Sequence, residues 1–555
     1  MKCSITCNMK YKCCNSLHWE FNIMYGGSKP QWKVLKHNGP IFPAEYKPHK
    51  IPVIINNIDV ILPEKSEEYA TMYAKFIDTD YIKNNNFKKN FWKDFKPTLP
   101  SNLNINSIDD IDFTNIKNFL MKEKELKSNM SKEEKEKLKK IQDELEEPYK
   151  YCIIDGVQQQ VGNFKIEPPG IFLGRGSHPK IGRIKKRITP EDVTINLSKD
   201  APIPIIKNHK WGKVIHDQNV IWLASWKEKL TEKNKYIFTS LDSFFKSKSD
   251  ENKFDLARQL KKKANNIRED YEKQLHDENP KNRQLATALY FIDNLSLRVG
   301  GNKDTKEEAD TVGVTSLRVE HITLLDNNQI KLDFLGKDSV RYCKKINVHM
   351  QVYKNLQEFI NSKTKKNDLF DLISATNLND YLSSIMEGLT AKVWRTYNAS
   401  LLFQKEIDKI KEDKISNVDQ NEKQNYLIAM FNQANTSVAL LCNHQKNSNT
   451  KIDDYLDKTN LRIKELQKKK NNYLEKKLND KANKINIKIK SLKLKKDTKV
   501  KMKNVSLGTS KNNYIDPRII FSFIKRFDIS PEKLFTTKLI KRFEWASKVD
   551  KDFRF

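Results

Sequence analysis

A lysine-rich segment gives way to the last apolar block of the chain at Ser506-Leu507-Gly508-Thr509-Ser510-Lys511-Asn512-Asn513-Tyr514-Ile515-Asp516-Pro517-Arg518. Turn formers such as Gly508 disfavour a helix before Tyr514. Asp516 followed by Pro517 is typical of a helix N-cap with proline at the first helical position. The stretch therefore predicts that Tyr514 is exposed, just outside the start of a helix.

A single tyrosine in a turn is usually part of an ordinary surface loop. Here, regular elements elsewhere in the chain carry basic side chains that could accompany it. An apolar stripe starting at Leu285 predicts a helix that ends at Arg298-Val299-Gly300-Gly301, with Arg298 in its last turn. Alternation at period two over residues 316–343 predicts strands, with Lys337 at a hairpin tip.

Two further helices carry Arg395 and His444. A helix near 389–406 places Arg395 in its first turns, and a helix near 424–444, apolar almost all round, ends at His444. Both side chains would therefore extend from a buried support.

These residue types suit chemistry on a phosphodiester. A phenol with a pKa of about 10 is a poor nucleophile, and the phosphodiester charge repels attack. Cations around the phosphate relieve both difficulties. An arginine fork can bind non-bridging oxygens, a histidine can donate to another, and a lysine can protonate the departing sugar oxygen.

The composition favours a polyanionic partner. Lys and Arg number 102 against 71 Asp and Glu, giving a net charge of +31 and a pI near 9.5. Nucleic acid is the first candidate and an anionic membrane the second. Because no apolar run is long enough to span a bilayer and the start resembles no signal peptide, we expect an intracellular protein.

The seven cysteines do not form the pattern of a disulfide scaffold. Four of them crowd the N-terminus, at Cys3, Cys7, Cys13 and Cys14. A zinc site there is conceivable, but no His or Cys follows at ligand spacing. We therefore predict no metal site and no cofactor.

The first half of the chain predicts β-containing lobes. After a loosely ordered lead-in, residues 31–55 suggest short strands broken by proline and glycine. From 65 to 96, aromatic residues interleave with lysines, which favours helix core faces over base-stacking platforms. A capping box at Ser131 starts a charged helix over 131–147 that marks a lobe boundary.

A proline- and glycine-rich loop follows over residues 163–180, and a basic cluster over 183–187. Glycines let a backbone approach a ligand closely, and the cluster suits phosphate contacts. The alternative is a structural crossover with a solvated basic tail.

Residues 447–503 change abruptly to lysine and asparagine with sparse apolar residues. The spacing from Ile463 to Leu492, which includes Leu474 and Leu478, predicts two antiparallel helices with a thin seam, standing out from the body as an arm. A disordered lysine-rich tail is the alternative.

Several motifs resemble the eukaryotic type IB DNA topoisomerases, over roughly residues 31–446 and 505–555. The matching stretches are Phe164-Lys165-Ile166-Glu167-Pro168-Pro169-Gly170, Leu297-Arg298, Gly336-Lys337-Asp338-Ser339, Arg395-Thr396-Tyr397-Asn398-Ala399-Ser400, Cys442-Asn443-His444-Gln445 and Ser510 to Arg518. The departure is Leu173, where the family usually has an arginine. Five active-site stretches in the right order make the resemblance specific.

The resemblance implies the roles of individual residues. Tyr514 would be the nucleophile, Arg298, Arg395 and His444 would bind the phosphate, and Lys337 would be the acid. The implied DNA-binding residues are Arg175, Lys180, Lys185, Lys186, Arg187, Asp338 and Asn513. Three of these, Arg175, Asp338 and Asn513, match the positions where camptothecin-like drugs bind similar enzymes.

The resemblance also implies an α+β multidomain fold. The implied parts are a lead-in (1–30), capping lobes (31–130 and 131–245), a mostly helical catalytic core with a three-stranded sheet (246–446), a coiled-coil linker (447–505) and a small helical C-terminal domain (506–555). We expect this chain to lack the long charged N-terminal tail of the family. Nuclear localisation then depends on the resemblance and on clusters such as Lys185-Lys186-Arg187.

The implied activity is relaxation of supercoiled duplex DNA by a monomer clamped around it. Tyr514 would form a 3′-phosphotyrosine, the duplex would swivel, and religation would reverse the step, without ATP or a required metal. A tyrosine recombinase uses a similar set of residues, and a non-catalytic basic chromatin protein would also bind DNA. Incubation of the protein with supercoiled plasmid, without ATP or magnesium, would distinguish the three: a topoisomerase relaxes the plasmid, a recombinase exchanges strands, and a chromatin protein only retards it on a gel.

Overall fold

A computed structural model describes residues 30–103, 105–410, 420–445, 453–501 and 505–555. The lead-in and its four cysteines lie outside these residues. The described chain divides into an N-terminal unit, residues 30–243 with 303–310, and a C-terminal unit, residues 244–302 with 311–555. No helix within the described ranges is long and apolar enough to cross a membrane.

The N-terminal unit contains four small sheets. One has the order β1-β5-β6, from Leu35–His37, Tyr151–Ile154 and Val157–Gln160, and another the order β3-β2-β4, from Ile58–Val60, Val53–Ile55 and Ile111–Asp112. A hairpin pairs β7 (Gly170–Ile171) with β8 (Ile184–Lys185). The largest has the order β10-β9-β11-β12, from Lys213–Ile215, Val193–Asn196, Ala224–Lys227 and Asn234–Ile237.

Only part of the strand prediction for residues 31–55 is confirmed. Val53–Ile55 is a strand, but Ile41 makes a single bridge, and the first strand begins at Leu35. The first strand begins only at Leu35 because the Asp155 carboxylate accepts hydrogen bonds from the N–H groups of Lys33 and Val34, at 2.8 and 2.7 Å. Those donors bind a side chain and are therefore unavailable to a sheet.

Four helices complete the N-terminal unit. They are α1 (Glu64–Ala74), α2 (Asn85–Phe95), α3 (Thr114–Asn129) and α4 (Lys132–Glu146). The aromatic residues of 65–96 form core, as predicted: Tyr73 stacks on Phe91 at 4.5 Å between ring centroids. The capping box at Ser131 is also confirmed, and α4 is exposed along most of its length.

The C-terminal unit is mainly helical around one three-stranded sheet. Its helices before the arm are α5 (Phe244–Gln274), α6 (Pro280–Leu295), α7 (Met350–Ile360), α8 (Ala375–Ile385), α9 (Ala391–Asp408) and α10 (Gln420–Leu441). The strands β13 (Ile322–Leu325), β14 (Gln329–Leu335) and β15 (Arg341–Asn347) pair antiparallel in chain order. This confirms the sheet and hairpin predicted from the period-two pattern.

A buried carboxylate ties three of these helices together. Asp293 of α6 accepts from the Trp394 indole of α9 at 2.7 Å and from Arg268 and Tyr271 of α5. Trp394 is 0% exposed. Because buried hydrogen bonds to a charged group are strong, these contacts with Asp293 fix the position of the start of α9, including Arg395.

Residues 453–501 form two antiparallel helices, α11 (Asp453–Glu475) and α12 (Asn479–Lys501). The predicted seam includes Ile463, Leu466 and Ile489, whereas Leu474 and Leu478 are exposed near the turn. The prediction that the arm stands away from the body is wrong, because α12 packs along α10.

The last helices are α13 (Leu507–Asn513), α14 (Pro517–Phe527) and α15 (Thr537–Arg542). Almost every residue of α14 is buried, including Phe523, which packs against Phe431 of α10. The nucleophile candidate therefore lies between two helices that are anchored to the rest of the unit.

Candidate active site

Tyr514 lies in the short break between α13 and α14. Its N–H and that of Ile515 donate to the Ser510 carbonyl, at 2.9 and 3.1 Å, so Leu507–Asn513 is a helix and not the predicted loop. Tertiary packing against α10 overrides the weak helix propensity of this stretch. The N-cap prediction is confirmed, since Asp516 accepts from the Arg518 N–H at 3.0 Å.

The Tyr514 ring is half-buried, not exposed, and basic groups surround it. The Tyr514 ring centroid lies 5.1 Å from the His444 ring centroid. The Arg395 guanidinium carbon lies over the Tyr514 ring, 5.1 Å from its centroid. Arg298 is also nearby. The fold therefore brings together four of the five predicted catalytic residues, from positions more than two hundred residues apart.

Arg395 is 4% exposed and projects from the first turns of α9, as predicted. One guanidinium nitrogen, Nη2, donates to the Cys442 carbonyl at 3.2 Å. Nε is buried and has no hydrogen-bond partner among the described residues. An unpaired buried donor costs about 1–3 kcal/mol, which an anion at this position would relieve.

Arg298 follows α6 and does not belong to it, because the helix ends at Leu295 with Ser296 in the left-handed conformation. The expected last-turn position is therefore wrong. The extended segment is held by Gly300 (φ +85°) and Gly313, where a Cβ on either would lie under 3.0 Å from the other's backbone. Burial and the charge of Arg395 lower the pKa of Arg298, which still remains charged at pH 7.

His444 is 5% exposed and lies just beyond α10, which ends at Leu441. Asn443 turns the chain with φ 53°, and the His444 N–H donates to the Ala439 carbonyl at 2.9 Å. Burial, with the charges of Arg395 and Arg298, lowers the pKa of His444 to about 3. The imidazole is therefore neutral at physiological pH.

Lys337 lies at the tip between β14 and β15, as predicted, and its side chain is exposed. Asp338 and Ser339 turn the backbone there with φ 65° and 58°. Burial lowers the pKa of Lys392, and the positive charges of Lys246, Lys337 and Arg298 add to this effect. A flexible ammonium at this tip can approach a ligand bound beside Tyr514.

Comparison with protein families gives three matches that follow the chain. Residues 30–239 match the DNA binding fragment of eukaryotic DNA topoisomerase I, residues 242–477 its catalytic core, and residues 486–555 a C-terminal topoisomerase domain. DNA topoisomerase 1 of Candidozyma auris is 37% identical over 97% of this chain and 85% of its own length. The chain belongs to the eukaryotic DNA topoisomerase I family.

Other relatives of the topoisomerase I family are longer than this chain. Human DNA topoisomerase 1 is 38% identical over 97% of this chain and 73% of its own length. DNA topoisomerase 1 beta of Arabidopsis thaliana is 40% identical over 96% of this chain. The match spans 60% of the length of that plant protein.

Two partly buried lysines of the C-terminal unit were not identified from the sequence. Lys253 of α5 donates to the Asn513 carbonyl at 3.0 Å, and burial lowers its pKa to about 7. Lys392 lies three residues before Arg395, and burial lowers its pKa to about 8. The helical spacing to Arg395 could have indicated Lys392, but Lys253 resembles any other lysine of a charged helix.

A four-group ion cluster supports Lys253. Asp250 is 0% exposed and binds Lys246 at 2.7 Å, Lys253 at 3.1 Å and Arg542 at 2.6 Å. Because three basic groups surround one carboxylate, the cluster keeps a net positive charge beside the Asn513 carbonyl. The cluster thus joins α5 to α15 and supports the residue before the nucleophile.

Asp338 and Asn513, two of the predicted drug-site residues, also belong to the C-terminal unit. Asp338 is exposed at the hairpin tip, next to Lys337. Asn513 is exposed at the end of α13, and its side-chain amide donates to the Thr509 carbonyl at 3.2 Å. Each predicted drug-site residue of this unit is therefore adjacent in the chain to a candidate catalytic residue.

The other predicted DNA contacts belong to the N-terminal unit. Arg175 and Lys186 are exposed, and Lys185 pairs with Glu167 at 3.3 Å. Lys180 is mostly buried and pairs with Glu307. Arg187 binds Glu68 at 3.0 Å and the Ala44 carbonyl at 2.8 Å, so its guanidinium also has a structural role.

Leu173 is the position at which the resemblance to the family leads us to expect an arginine. Its side chain packs against the hydrophobic core of the N-terminal unit. A leucine is therefore accommodated by packing at this position.

Proposed function

We propose that this chain is a type IB DNA topoisomerase that relaxes supercoiled duplex DNA. The observation that carries the proposal is the Tyr514 phenol beside two buried nitrogens, Arg395 Nε and His444 Nε2, which are both unpaired in the described structure. A phosphodiester beside Tyr514 would supply acceptors for both. Family membership supports the same reaction.

The proposed step exchanges one phosphoester bond for another. The phenol oxygen of Tyr514 attacks phosphorus and loses its proton to solvent, while the bond from phosphorus to the 5′ oxygen breaks. Arg298, Arg395 and His444 bind the non-bridging oxygens as charge gathers on them, and Lys337 protonates the departing oxygen. A phosphotyrosine remains on the 3′ end, so religation needs neither ATP nor a metal.

Rotation about the intact strand would separate cleavage from religation. We propose that residues 31–245 cap the duplex, that 246–446 and 506–555 carry the chemistry, and that the arm tunes swivelling. In this arrangement the enzyme acts as a monomer around duplex DNA, with Arg175, Lys180, Lys185, Lys186 and Arg187 as backbone contacts. The nucleus is the proposed location, since the relatives are enzymes of eukaryotes.

The decisive test removes one oxygen. Tyr514→Phe should bind a duplex oligonucleotide normally yet form no covalent adduct and relax no plasmid, with ATP absent and EDTA present. Tyr151→Phe, at an exposed tyrosine of the N-terminal unit, is the matched control and should keep full activity. A denaturant-stable adduct made by Tyr514→Phe would refute the assignment, and strand exchange between duplexes would instead indicate a recombinase.

Religation by this site should be sensitive to camptothecin-like drugs. The proposed contacts are Arg175, Asp338 and Asn513, and the prediction rests on the resemblance. We expect drug-dependent accumulation of nicked plasmid, with Asn513→Ser active but resistant. Equal sensitivity of Asn513→Ser and the unsubstituted protein would refute the Asn513 contact.

A further inference from the structure

The two ring nitrogens of His444 have different surroundings. Nδ1 lies 2.7 Å from the Ser510 hydroxyl oxygen. Nε2 is buried and has no hydrogen-bond partner within the described ranges. In a neutral imidazole only one nitrogen carries a proton, so the partner of Nδ1 decides whether Nε2 can donate.

The role of His444 depends on this choice. With the proton on Nε2, the ring can donate to a non-bridging phosphate oxygen. With the proton on Nδ1, Nε2 would present a lone pair to an anion and repel it. Because burial and two neighbouring arginines keep the imidazole neutral, protonating both nitrogens is not an alternative near pH 7.

The surroundings of Ser510 decide which group donates. Ser510 is 0% exposed, and among the described residues its hydroxyl has no hydrogen-bond partner except His444 Nδ1. If Nδ1–H were the donor, the serine proton would be buried without an acceptor, which costs free energy. If the hydroxyl donates to Nδ1, the only proton of the pair without an acceptor in the described structure is Nε2–H, and a phosphate oxygen beside Tyr514 would supply that acceptor.

We propose that Ser510 is a positioning residue that sets the tautomer of His444, keeping the proton on Nε2 for a phosphate oxygen. The proposal rests on the proposed function, since it takes a phosphodiester as the ligand of Nε2. In this proposal Ser510 does not touch the substrate itself, but it prepares His444, which does.

The backbone around Ser510 couples this tautomer to the nucleophile. The Ser510 carbonyl accepts the Tyr514 N–H, and the Ser506 N–H donates to the His444 carbonyl at 2.7 Å. Asn435 of α10 also donates to the Leu507 carbonyl at 3.2 Å. The packing of α13 against the end of α10 therefore positions Tyr514 and also determines which ring nitrogen of His444 carries the proton.

The test compares Ser510→Ala in two backgrounds. In His444→Gln, the side-chain amide offers a donor near the position of Nε2 and has no tautomers. We expect Ser510→Ala to slow single-turnover cleavage of a duplex oligonucleotide about five- to tenfold in the unsubstituted protein, with DNA binding unchanged. In the His444→Gln background, the same substitution should cause no further decrease in rate.

Ser400→Ala is the matched control. Ser400 is another buried serine of this site, but its hydroxyl donates to the Tyr514 carbonyl and accepts the Asp516 N–H, without touching His444. Its removal should slow cleavage by the same factor in both backgrounds. If Ser510→Ala behaves like Ser400→Ala, or has no effect in the unsubstituted protein, the tautomer proposal is overturned.

A second measurement does not depend on cleavage. In protein labelled with ¹⁵N-histidine, the ring signals that disappear in His444→Gln belong to His444. We expect a protonated Nε2 and an unprotonated Nδ1, and a mixed or reversed pattern in Ser510→Ala. A protonated Nδ1 in the unsubstituted protein would overturn the proposal. If that protein forms no DNA adduct, the proposed function fails, while the spectrum still decides the role of Ser510.

Discussion

At the residue scale, the site is defined by donors that are buried before any ligand binds. Arg395 and His444 each keep one donor nitrogen inside the C-terminal unit without a partner among the described residues. Water solvates such groups in an unfolded chain, so the fold bears the cost of their desolvation. An anion that fits between them therefore gains more than it would from exposed lysines.

Lys337 differs from these residues because it is exposed at a hairpin tip. Lys337→Ala should slow cleavage by roughly 10²-fold or more, since the departing oxygen stays unprotonated. A substrate with a 5′ bridging sulfur leaves readily without a proton and should restore the rate. Lys345→Ala, at an exposed lysine of β15, should need no rescue. Failure of sulfur to rescue Lys337→Ala would exclude Lys337 as the acid.

The neutral state of His444 also makes stability depend on pH. Its pKa is about 3 in the folded protein and about 6.5 in an unfolded chain, so between these values the unfolded state binds more protons. Stability is complete above pH 6.5 and falls as the pH falls toward 3. At pH 4.5 the decrease from this group should be about 3 kcal/mol.

Thermal denaturation between pH 4.5 and 7 measures this effect. His444→Gln should lose less stability on acidification than the unsubstituted protein. His276→Gln, at an exposed histidine, should lose as much as the unsubstituted protein. Equal acid sensitivity of all three proteins would contradict a depressed His444 pKa.

At the element scale, the nucleophile is fixed by the N-terminus of α14. Asp516 is 0% exposed and both caps the helix and pairs with Arg518 at 2.8 Å. Arg518 also reaches Asp255 of α5 at 2.7 Å and lies over the Trp545 ring. These contacts anchor the segment two residues after Tyr514 to α5.

Asp516→Ala should therefore destabilise the protein by about 3 kcal/mol, because it removes the cap and leaves a buried guanidinium partly unpaired. Asp516→Asn keeps a capping oxygen, and we expect a smaller destabilisation of about 1 kcal/mol. Thermal denaturation and the yield of Tyr514 adduct measure both effects. An Asp516→Ala protein as stable as Asp516→Asn would show that the capping oxygen contributes nothing, and an Asp516→Asn protein as stable as the unsubstituted one would show that the ion pair contributes nothing.

At the scale of the whole molecule, we predict that the arm is separable from the chemistry, because its two ends meet. Gln445 before it pairs with Val505 after it in a β-bridge. Its positive charge lies mainly on α12, which carries nine lysines and two aspartates. The apolar seam described between α11 and α12 offers no acid, base or anion clamp suited to the proposed reaction.

A fragment ending at Gln445, mixed with residues 506–555 as a separate polypeptide, should therefore reconstitute cleavage and relaxation. Removal of α12 should weaken DNA binding at raised salt, and the slope of log K against log salt should fall by about 0.9 for each phosphate that is no longer neutralised. The matched control is a chain nicked at Lys477, in the turn between α11 and α12, which should keep the full slope. A reconstituted pair that binds DNA but forms no Tyr514 adduct would refute this division.

The sequence by itself determined the features that depend on neighbours in the chain. The Lys337 hairpin, the caps at Ser131 and Asp516, and the paired arm helices follow from periodicity, turn residues and capping chemistry. Ordered motifs also indicated the family and the five candidate catalytic residues. Such patterns act over a few positions, so they can be recognised without a fold.

Only the tertiary structure decided the electrostatic state of the site. Packing on α10 made a helix of Leu507–Asn513, although its residues favour a loop, and it half-buried Tyr514. The neutral His444, its contact with Ser510 and the lowered pKa of Lys253 arise from burial among residues distant in the chain. Desolvation and charge pairing depend on three-dimensional neighbours, which local sequence does not specify.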